Sequence, residues 1–370
     1  MDRLRDAIDR RWLTNDGRYV VELEQRLCEV VGAEHCVVTC NGTVALEILL
    51  RAAETTGEVI LPSLTFVASA HAVAWQRLSP VFADVDPVRL TLDPRSVESE
   101  VGPQTSAILA VHVWGRPCDV DGLSEVARER GLKLFLDAAQ AVGSSYRGRP
   151  LGGLGDATVF SFHATKICNS FEGGAIATND PELAARARLM RNFGFEGEDR
   201  VVALGTNGKM SEAAAAMGLT SLEDLDRFID HNRDNYDRYR RELSGVPGVR
   251  LLEPDPLDDW NYHYVTVEVE ESECGLTRDE LQRVLKAENV LARRYFYPGC
   301  HRMEPYVSGG ARTERRLPVT ERVLDRVLSL PTGTAVAPEV VALICASIAT
   351  AVAHAPAVRA RLTDAVAAPA

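Results

Sequence analysis

Glu58-Val-Ile-Leu61, Thr65–Gln76, Pro80-Val-Phe-Ala83, Pro94–Val101, Ala107-Ile-Leu-Ala-Val111, Val120–Arg130 and Leu132-Lys-Leu-Phe-Leu136 follow one another closely, and their reading decides the fold. The first, third, fifth and seventh are short apolar runs that predict strands. The segments between them carry helical patterning. Strands alternating with helices predict a mostly parallel sheet covered on both faces, so the expected fold class is α/β. In such sheets chemistry gathers outside the carboxyl ends of the strands. Three segments meet that condition: Pro62–Phe66, His112-Val-Trp114-Gly and Asp137-Ala-Ala-Gln140.

Asp137 directly follows the apolar Leu134-Phe-Leu136, which places a carboxylate at a strand end beside buried residues. An unpaired buried charge is costly, so it calls for a partner. One reading is a helix cap for the residues that follow. The other is a fixed anion that keeps a heteroaromatic nitrogen protonated. Upstream, Val37–Thr39 reads as a strand, Cys40-Asn41-Gly42-Thr43 as a turn and Val44–Ala53 as a helix. Free N–H groups at a helix start favour an anion, phosphate above all. A plain N-cap by Asn41 or Thr43 is the competing account.

Downstream, Thr158–Phe162 and Ala175–Thr178 read as strands joined by an exposed loop. Lys166 is the one cation between Ala157 and Phe171. Apolar surroundings lower the pKa of a lysine and make its amine nucleophilic, as Schiff-base chemistry requires. The bland alternative is a surface lysine on a connector. Ser161 adds a hydroxyl, and Glu172-Gly-Gly closes the loop.

The flanks are simpler. Residues 1–11 predict a short helix broken at Trp12–Gly17, and Val20–Val31 predicts another. Helices are expected at Asp180–Phe193 and Ser211–Leu243. The Gly/Pro turn Gly245–Val249 sets the expected boundary between a large domain, 1–245, and a smaller α+β lobe, 246–370. In the lobe, His263–Val269 and Val290–Arg294 predict strands, and Arg278–Ala287, Thr320–Leu328 and Pro338–Ala351 predict helices. An Ala-rich tail with Pro356 and Pro369 is expected to fray.

Length, 370 residues, also favours two domains. A hydrophobic content of 46% with 25% charged residues is ordinary for a globular protein. The net charge of −12 argues against general nucleic-acid binding. No apolar run is long enough to cross a bilayer and no leader opens the sequence, so neither a membrane nor export is expected and the cytoplasm is the default location. The eight cysteines are scattered without ligand spacing, which predicts buried thiols and no metal site.

Taken together, a phosphate at Gly42-Thr43, an anion at Asp137 for a ring nitrogen and an amine at Lys166 for an aldehyde describe one ligand, pyridoxal 5′-phosphate. No G-x-G-x-x-G follows the first strand and no G-x-x-x-x-G-K-[ST] occurs, so a dinucleotide or nucleotide fold has no motif to rest on.

Asn41-Gly-Thr-Val-Ala-Leu46, Glu58-Val-Ile-Leu-Pro-Ser-Leu-Thr-Phe66, Asp137-Ala-Ala-Gln140, Phe160-Ser-Phe-His-Ala-Thr-Lys166 with Glu172-Gly-Gly174, and Lys209-Met-Ser-Glu212 resemble the DegT/DnrJ/EryC1/StrS family. The likeness runs from Trp12-Leu-Thr-Asn-Asp-Gly17 to Leu328-Ser-Leu-Pro331. It implies a fold-type-I, pyridoxal-phosphate-dependent sugar aminotransferase with a mostly parallel sheet and a smaller C-terminal lobe. Phe162-His-Ala-Thr-Lys166 and Tyr295–Tyr306 most resemble enzymes that aminate C4 of nucleotide-linked 4-keto-6-deoxyhexoses; amination at C3 is the rival, and a non-catalytic regulator the remoter one.

The resemblance implies that Lys166 holds the cofactor through its amine and then moves a proton, while Asp137 pairs with the ring nitrogen. Gln140 lies near the ring hydroxyl, Phe66 stacks on the ring, and Gly42, Thr43 and Ser161 hold the phosphate. Asn207 or Lys209 of a second subunit completes that site, which implies a homodimer. His301 contacts the sugar nucleotide, and Thr14 and Asn15 belong to the same substrate set. L-Glutamate is the implied amino donor. Two departures stand out: Glu54-Thr-Thr-Gly57 replaces a Gly-rich lead, and Gly299-Cys300 stands where many relatives carry leucine before the histidine. Dehydrating relatives have histidine at the lysine position, so Lys166 speaks against a dehydratase.

Overall fold

The computed structural model describes residues 1–253, 255–309 and 316–367. The expected alternation builds a seven-stranded sheet from β1 (His35–Thr39), β2 (Glu58–Pro62), β3 (Ser79–Ala83), β4 (Thr105–Val111), β5 (Lys133–Asp137), β6 (Ala157–Ser161) and β7 (Gly174–Thr178). The spatial order is β1-β7-β6-β5-β4-β2-β3. β2 pairs in parallel with β3 and β4, β4 with β5, and β5 with β6. β7 runs antiparallel to both β1 and β6, so the other strands share one direction. Their carboxyl ends therefore open on one edge, which collects the Asn41 turn, Ser63, His112, Asp137 and Ser161.

Successive residues along each strand face opposite sides, and both sides are buried. Val38, Ile60, Ile108, Leu134, Leu136 and Phe160 pack with helices Arg18–Val31, Val120–Arg130 and Glu212–Glu223. Val37, Val59, Leu61, Leu109, Phe135 and Val159 pack with helices Gly42–Ala52, Val67–Trp75 and Pro181–Arg191. Full burial on two faces explains the near-continuous apolar strands.

The long helix expected over 211–243 is two helices, Glu212–Glu223 and Leu225–Leu243, divided at Asp224. The first packs on the central sheet. The second sends Tyr236, Tyr239 and Leu243 into the apolar cluster around Val265, Val267 and Leu328. That cluster backs a three-stranded antiparallel sheet of β8 (Val249–Leu251), β9 (Val265–Val269) and β10 (Val327–Leu330). β8 replaces part of an expected turn, and β10 replaces the end of an expected helix, which stops at Arg326. Val290–Arg294 forms no strand: only Arg293 bridges to Ser329. The tail expected to fray is helical from Ala355 to Ala367; Pro369 lies outside the described residues.

Two buried charges tie the N-terminal segment down. Glu212 accepts the N–H groups of Tyr19 (2.8 Å) and Val20 (3.0 Å), capping helix Arg18–Val31 from a distant part of the chain. Arg191 donates to Glu24 (2.7 Å), to the Val38 carbonyl (2.8 Å) and to Asp16 (2.6 Å). Arg191→Leu leaves Glu24 without this partner in a part-buried site. We expect about 3 kcal/mol of destabilisation, read as a lower urea midpoint at unchanged slope; an unmoved midpoint refutes the assignment.

Candidate active site

Asp137, the last residue of β5, is buried, and its carboxylate is held from two sides. Ser69 Oγ donates to Oδ2 (2.7 Å) and the Ala139 N–H to Oδ1 (3.0 Å). Ser69 lies on helix Val67–Trp75, and its hydroxyl also meets Thr65 Oγ1 at 2.9 Å. Burial pushes the carboxyl above its ordinary range; the two hydrogen bonds and the Lys166 charge pull the other way without overcoming it. The helix that the cap reading expected after Asp137 does not form: residues 138–144 are turns, and the Ala139 N–H bond closes the first of them.

Lys166 projects from the loop between β6 and β7. Burial lowers its pKa and the Asp137 charge opposes that, so amine and carboxylate interact within one site. Its Nζ donates to the Tyr264 hydroxyl at 3.3 Å. This is not a solvated surface lysine.

Gly42 and Ser161 meet: a Cβ on Gly42 would stand 3.0 Å from Ser161 Cβ and 3.2 Å from its Oγ. A Cβ on Gly174 would stand 2.6 Å from the Asn41 carbonyl carbon, so only glycine allows the turn to seat against β7. Asn41 Oδ1 caps the Val44 N–H at 2.8 Å, which realises the N-cap reading. The N–H groups of Gly42 and Thr43 precede the capped one and have no acceptor among the described residues. With the Ser161 hydroxyl they form a cradle for an anion.

Phe66 N-caps the helix that carries Ser69, and its ring is 57% exposed at this edge, free to cover a planar group. Gln140 is buried and its Oε1 accepts the Trp114 N–H at 2.5 Å. His301 comes from the short helix Cys300–Arg302, far along the chain, and meets Ser63 just past β2, Nδ1 to Oγ 2.5 Å; burial lowers its pKa. Within this chain, Asn207 and Lys209 flank Gly208, whose carbonyl accepts the Cys40 N–H at 2.8 Å. Asn207 is exposed, while Lys209 Nζ bonds Asn192 Oδ1 (2.9 Å) over the Phe193 ring. Thr14 and Asn15 sit on an exposed loop held through Asp16 by Arg191. The structure thus brings Gly42, Thr43, Phe66, Asp137, Gln140, Ser161, Lys166 and His301 to one edge. Ser69, Thr65, His263 and Tyr264 join them; nothing in their spacing points to residues 137 or 166.

A buried carboxylate in want of a cation, a desolvated amine, an anion cradle and an uncovered aromatic face fit pyridoxal 5′-phosphate. The family model for the DegT/DnrJ/EryC1/StrS aminotransferases matches residues 1–349. The chain belongs to that family. It is a pyridoxal-phosphate-dependent sugar aminotransferase of fold type I. It is 38% identical over 336 residues to the dTDP-4-amino-4,6-dideoxy-D-glucose transaminase of Shigella dysenteriae, covering 90% of each chain. It is 36% identical over 327 residues to a dTDP-3-amino-3,4,6-trideoxy-alpha-D-glucose transaminase of Streptomyces venezuelae, covering 86% of this chain and 84% of that one. The crystal structure of DesI in the presence of its TDP-sugar product superposes with a TM-score of 0.94 at 49% identity, over 98% of this chain and 92% of that one.

Proposed function

We propose that this aminotransferase moves an amino group from L-glutamate to C4 of a dTDP-4-keto-6-deoxyhexose, for amino-sugar biosynthesis in the cytoplasm. The observation that carries the reading is that Asp137 and Lys166 interact within one site, on the strand-end edge that also carries Gly42, Thr43 and Ser161. The C4 assignment is supported by the names and similarity of the relatives, whose 4-amino members stand at 38% and 36% identity.

When bound, pyridoxal 5′-phosphate supplies an electron sink for a carbanion next to nitrogen. The rest is work for this chain. Asp137, kept in place by Ser69 and Ala139, would hold a proton at the ring nitrogen. Gly42, Thr43 and Ser161 would receive the phosphate, and Phe66 and Gln140 would flank the ring. Lys166 Nζ, neutral for a larger fraction of molecules than a solvated lysine, takes a proton from the substrate carbon and returns it. His301, Thr14 and Asn15 meet the sugar nucleotide.

A homodimer places Asn207 or Lys209 of one subunit at the phosphate of the other. Exposed apolar residues support such a surface: Trp12 and Leu13 on the N-terminal loop, and Phe193, Val201 and Leu204 around the neighbouring hairpin. Free, mostly buried thiols suit a reducing compartment.

The test is a single turnover. Protein loaded with L-glutamate, freed of excess donor and mixed with dTDP-4-keto-6-deoxy-D-glucose should yield one amino sugar per active site, with nitrogen at C4 by NMR. Turnover of a 3-keto isomer alone would move the assignment to C3, and no transfer to either sugar would refute it.

A further inference from the structure

Two adjacent side chains leading into β9 reach the loop that carries Lys166. His263 Nε2 lies 2.8 Å from the Thr165 carbonyl, and the Tyr264 hydroxyl lies 3.3 Å from Lys166 Nζ. Burial lowers the His263 pKa to about 4, so the ring is neutral near pH 7. A carbonyl oxygen can only accept, so Nε2 carries the proton and donates. The backbone carbonyl just before Lys166 is therefore anchored from the C-terminal lobe, while the Lys166 N–H is anchored locally on the His163 carbonyl at 2.8 Å.

From this geometry we infer that Tyr264 is a positioning residue for the Lys166 amine, fixing its direction and holding up its basicity. The inference rests on the reading of Lys166 as the reactive amine. Among the described residues the titratable groups acting on Nζ are Asp137 from the central sheet, neutral His263, and Tyr264 itself, backed edge-on by Tyr295 at 6.1 Å between ring centroids. Burial raises the Tyr264 pKa, so the group facing the amine is a hydroxyl and not a phenolate. Its oxygen accepts from the lysine. A hydrogen bond from an ammonium is stronger than one from a neutral amine, so this contact favours the charged form. Desolvation alone would leave Lys166 a weak base; Tyr264 and Asp137 both counter it. Tyr264 also restricts a four-carbon chain that would otherwise sample several rotamers.

The chain has only four lysines, at 133, 166, 209 and 286. Each can be followed separately by peptide mass spectrometry after labelling the full, cofactor-free chain with trinitrobenzenesulfonate across a pH series. For Tyr264→Phe, which loses the hydroxyl and keeps the ring, the midpoint of Lys166 labelling should fall by about one pH unit. The midpoints of the other three lysines should stay put. Tyr295→Phe, which alters only the ring behind, should leave the Lys166 midpoint where it was. In the loaded enzyme Tyr264→Phe should lower kcat at least about tenfold with KM for the sugar nucleotide nearly unchanged.

An unmoved Lys166 midpoint in Tyr264→Phe overturns the inference. So does an equal shift in Tyr295→Phe, which would mark a packing effect. These outcomes are separate from the functional reading: if Lys166 were not the catalytic amine, its labelling could still respond to Tyr264 while Lys166→Ala kept its turnover.

Discussion

Lys166→Ala should lose transamination by at least about four orders of magnitude, because on the proposed mechanism it removes both the group that attaches the cofactor and the group that carries the proton. The loaded wild-type protein should show a near-visible band that L-glutamate bleaches; the variant should lack a band of that kind. Folding gives no alternative cause for the loss. Lys166 contributes one hydrogen bond to Tyr264 and a charge that burial disfavours, so its removal should leave the thermal midpoint of the cofactor-free protein within about two degrees of wild type. Small primary amines supplied in solution should restore a measurable part of the rate, since the truncated side chain leaves room at the place where Nζ stood. A variant that keeps more than about one-hundredth of wild-type turnover, against the loss set by these two roles, would mean that another group moves the proton.

Three parts of this site that strand patterning made legible, Asp137, Ser161 and the Gly42 turn, lie at or just past the end of an apolar run. Asp137 follows Leu134-Phe-Leu136, Ser161 ends β6, and Gly42 opens a helix just past β1, so strand order alone carries them to one edge. Parallel strands with both faces buried leave little freedom about where their carboxyl ends point. The residues that were not legible act across long separations. Ser69 reaches Asp137 across 68 positions and Tyr264 reaches Lys166 across 98. Glu212 caps a helix 193 residues away and Arg191 holds Asp16 across 175. Short-range periodicity has no access to such pairs. The same limit explains the helix divided at Asp224: its two halves have continuous helical patterning, but they serve different cores, the first the central sheet and the second the cluster around Val265. β10 escaped for a related reason, since Val327-Leu-Ser-Leu330 directly follows a helix and only pairing with β9 makes it a strand.

Asp137→Asn should act with opposite sign on stability and on catalysis. In the cofactor-free protein the folded-state pKa of Asp137 is raised by burial. The fold therefore prefers the protonated acid, and the bare carboxylate costs stability as pH rises from the ordinary carboxylate value through the raised one. Asparagine is neutral throughout. Its carbonyl can accept from the Ala139 N–H, and its amide can donate to Ser69 Oγ, so both contacts survive in altered form. At pH 7 the cofactor-free variant should be the more stable, with the higher thermal midpoint. The difference should vanish near pH 3, below the ordinary carboxylate range, where wild-type Asp137 is protonated in both states. Catalysis should fall by about a thousandfold, because a neutral amide no longer favours a proton on the ring nitrogen and the electron sink weakens. The two measurements separate the accounts of this residue. A capping role alone would keep both stability and rate on substitution, since asparagine caps as well as aspartate, whereas a desolvated anion kept for a cationic partner should gain stability without that partner and lose the reaction.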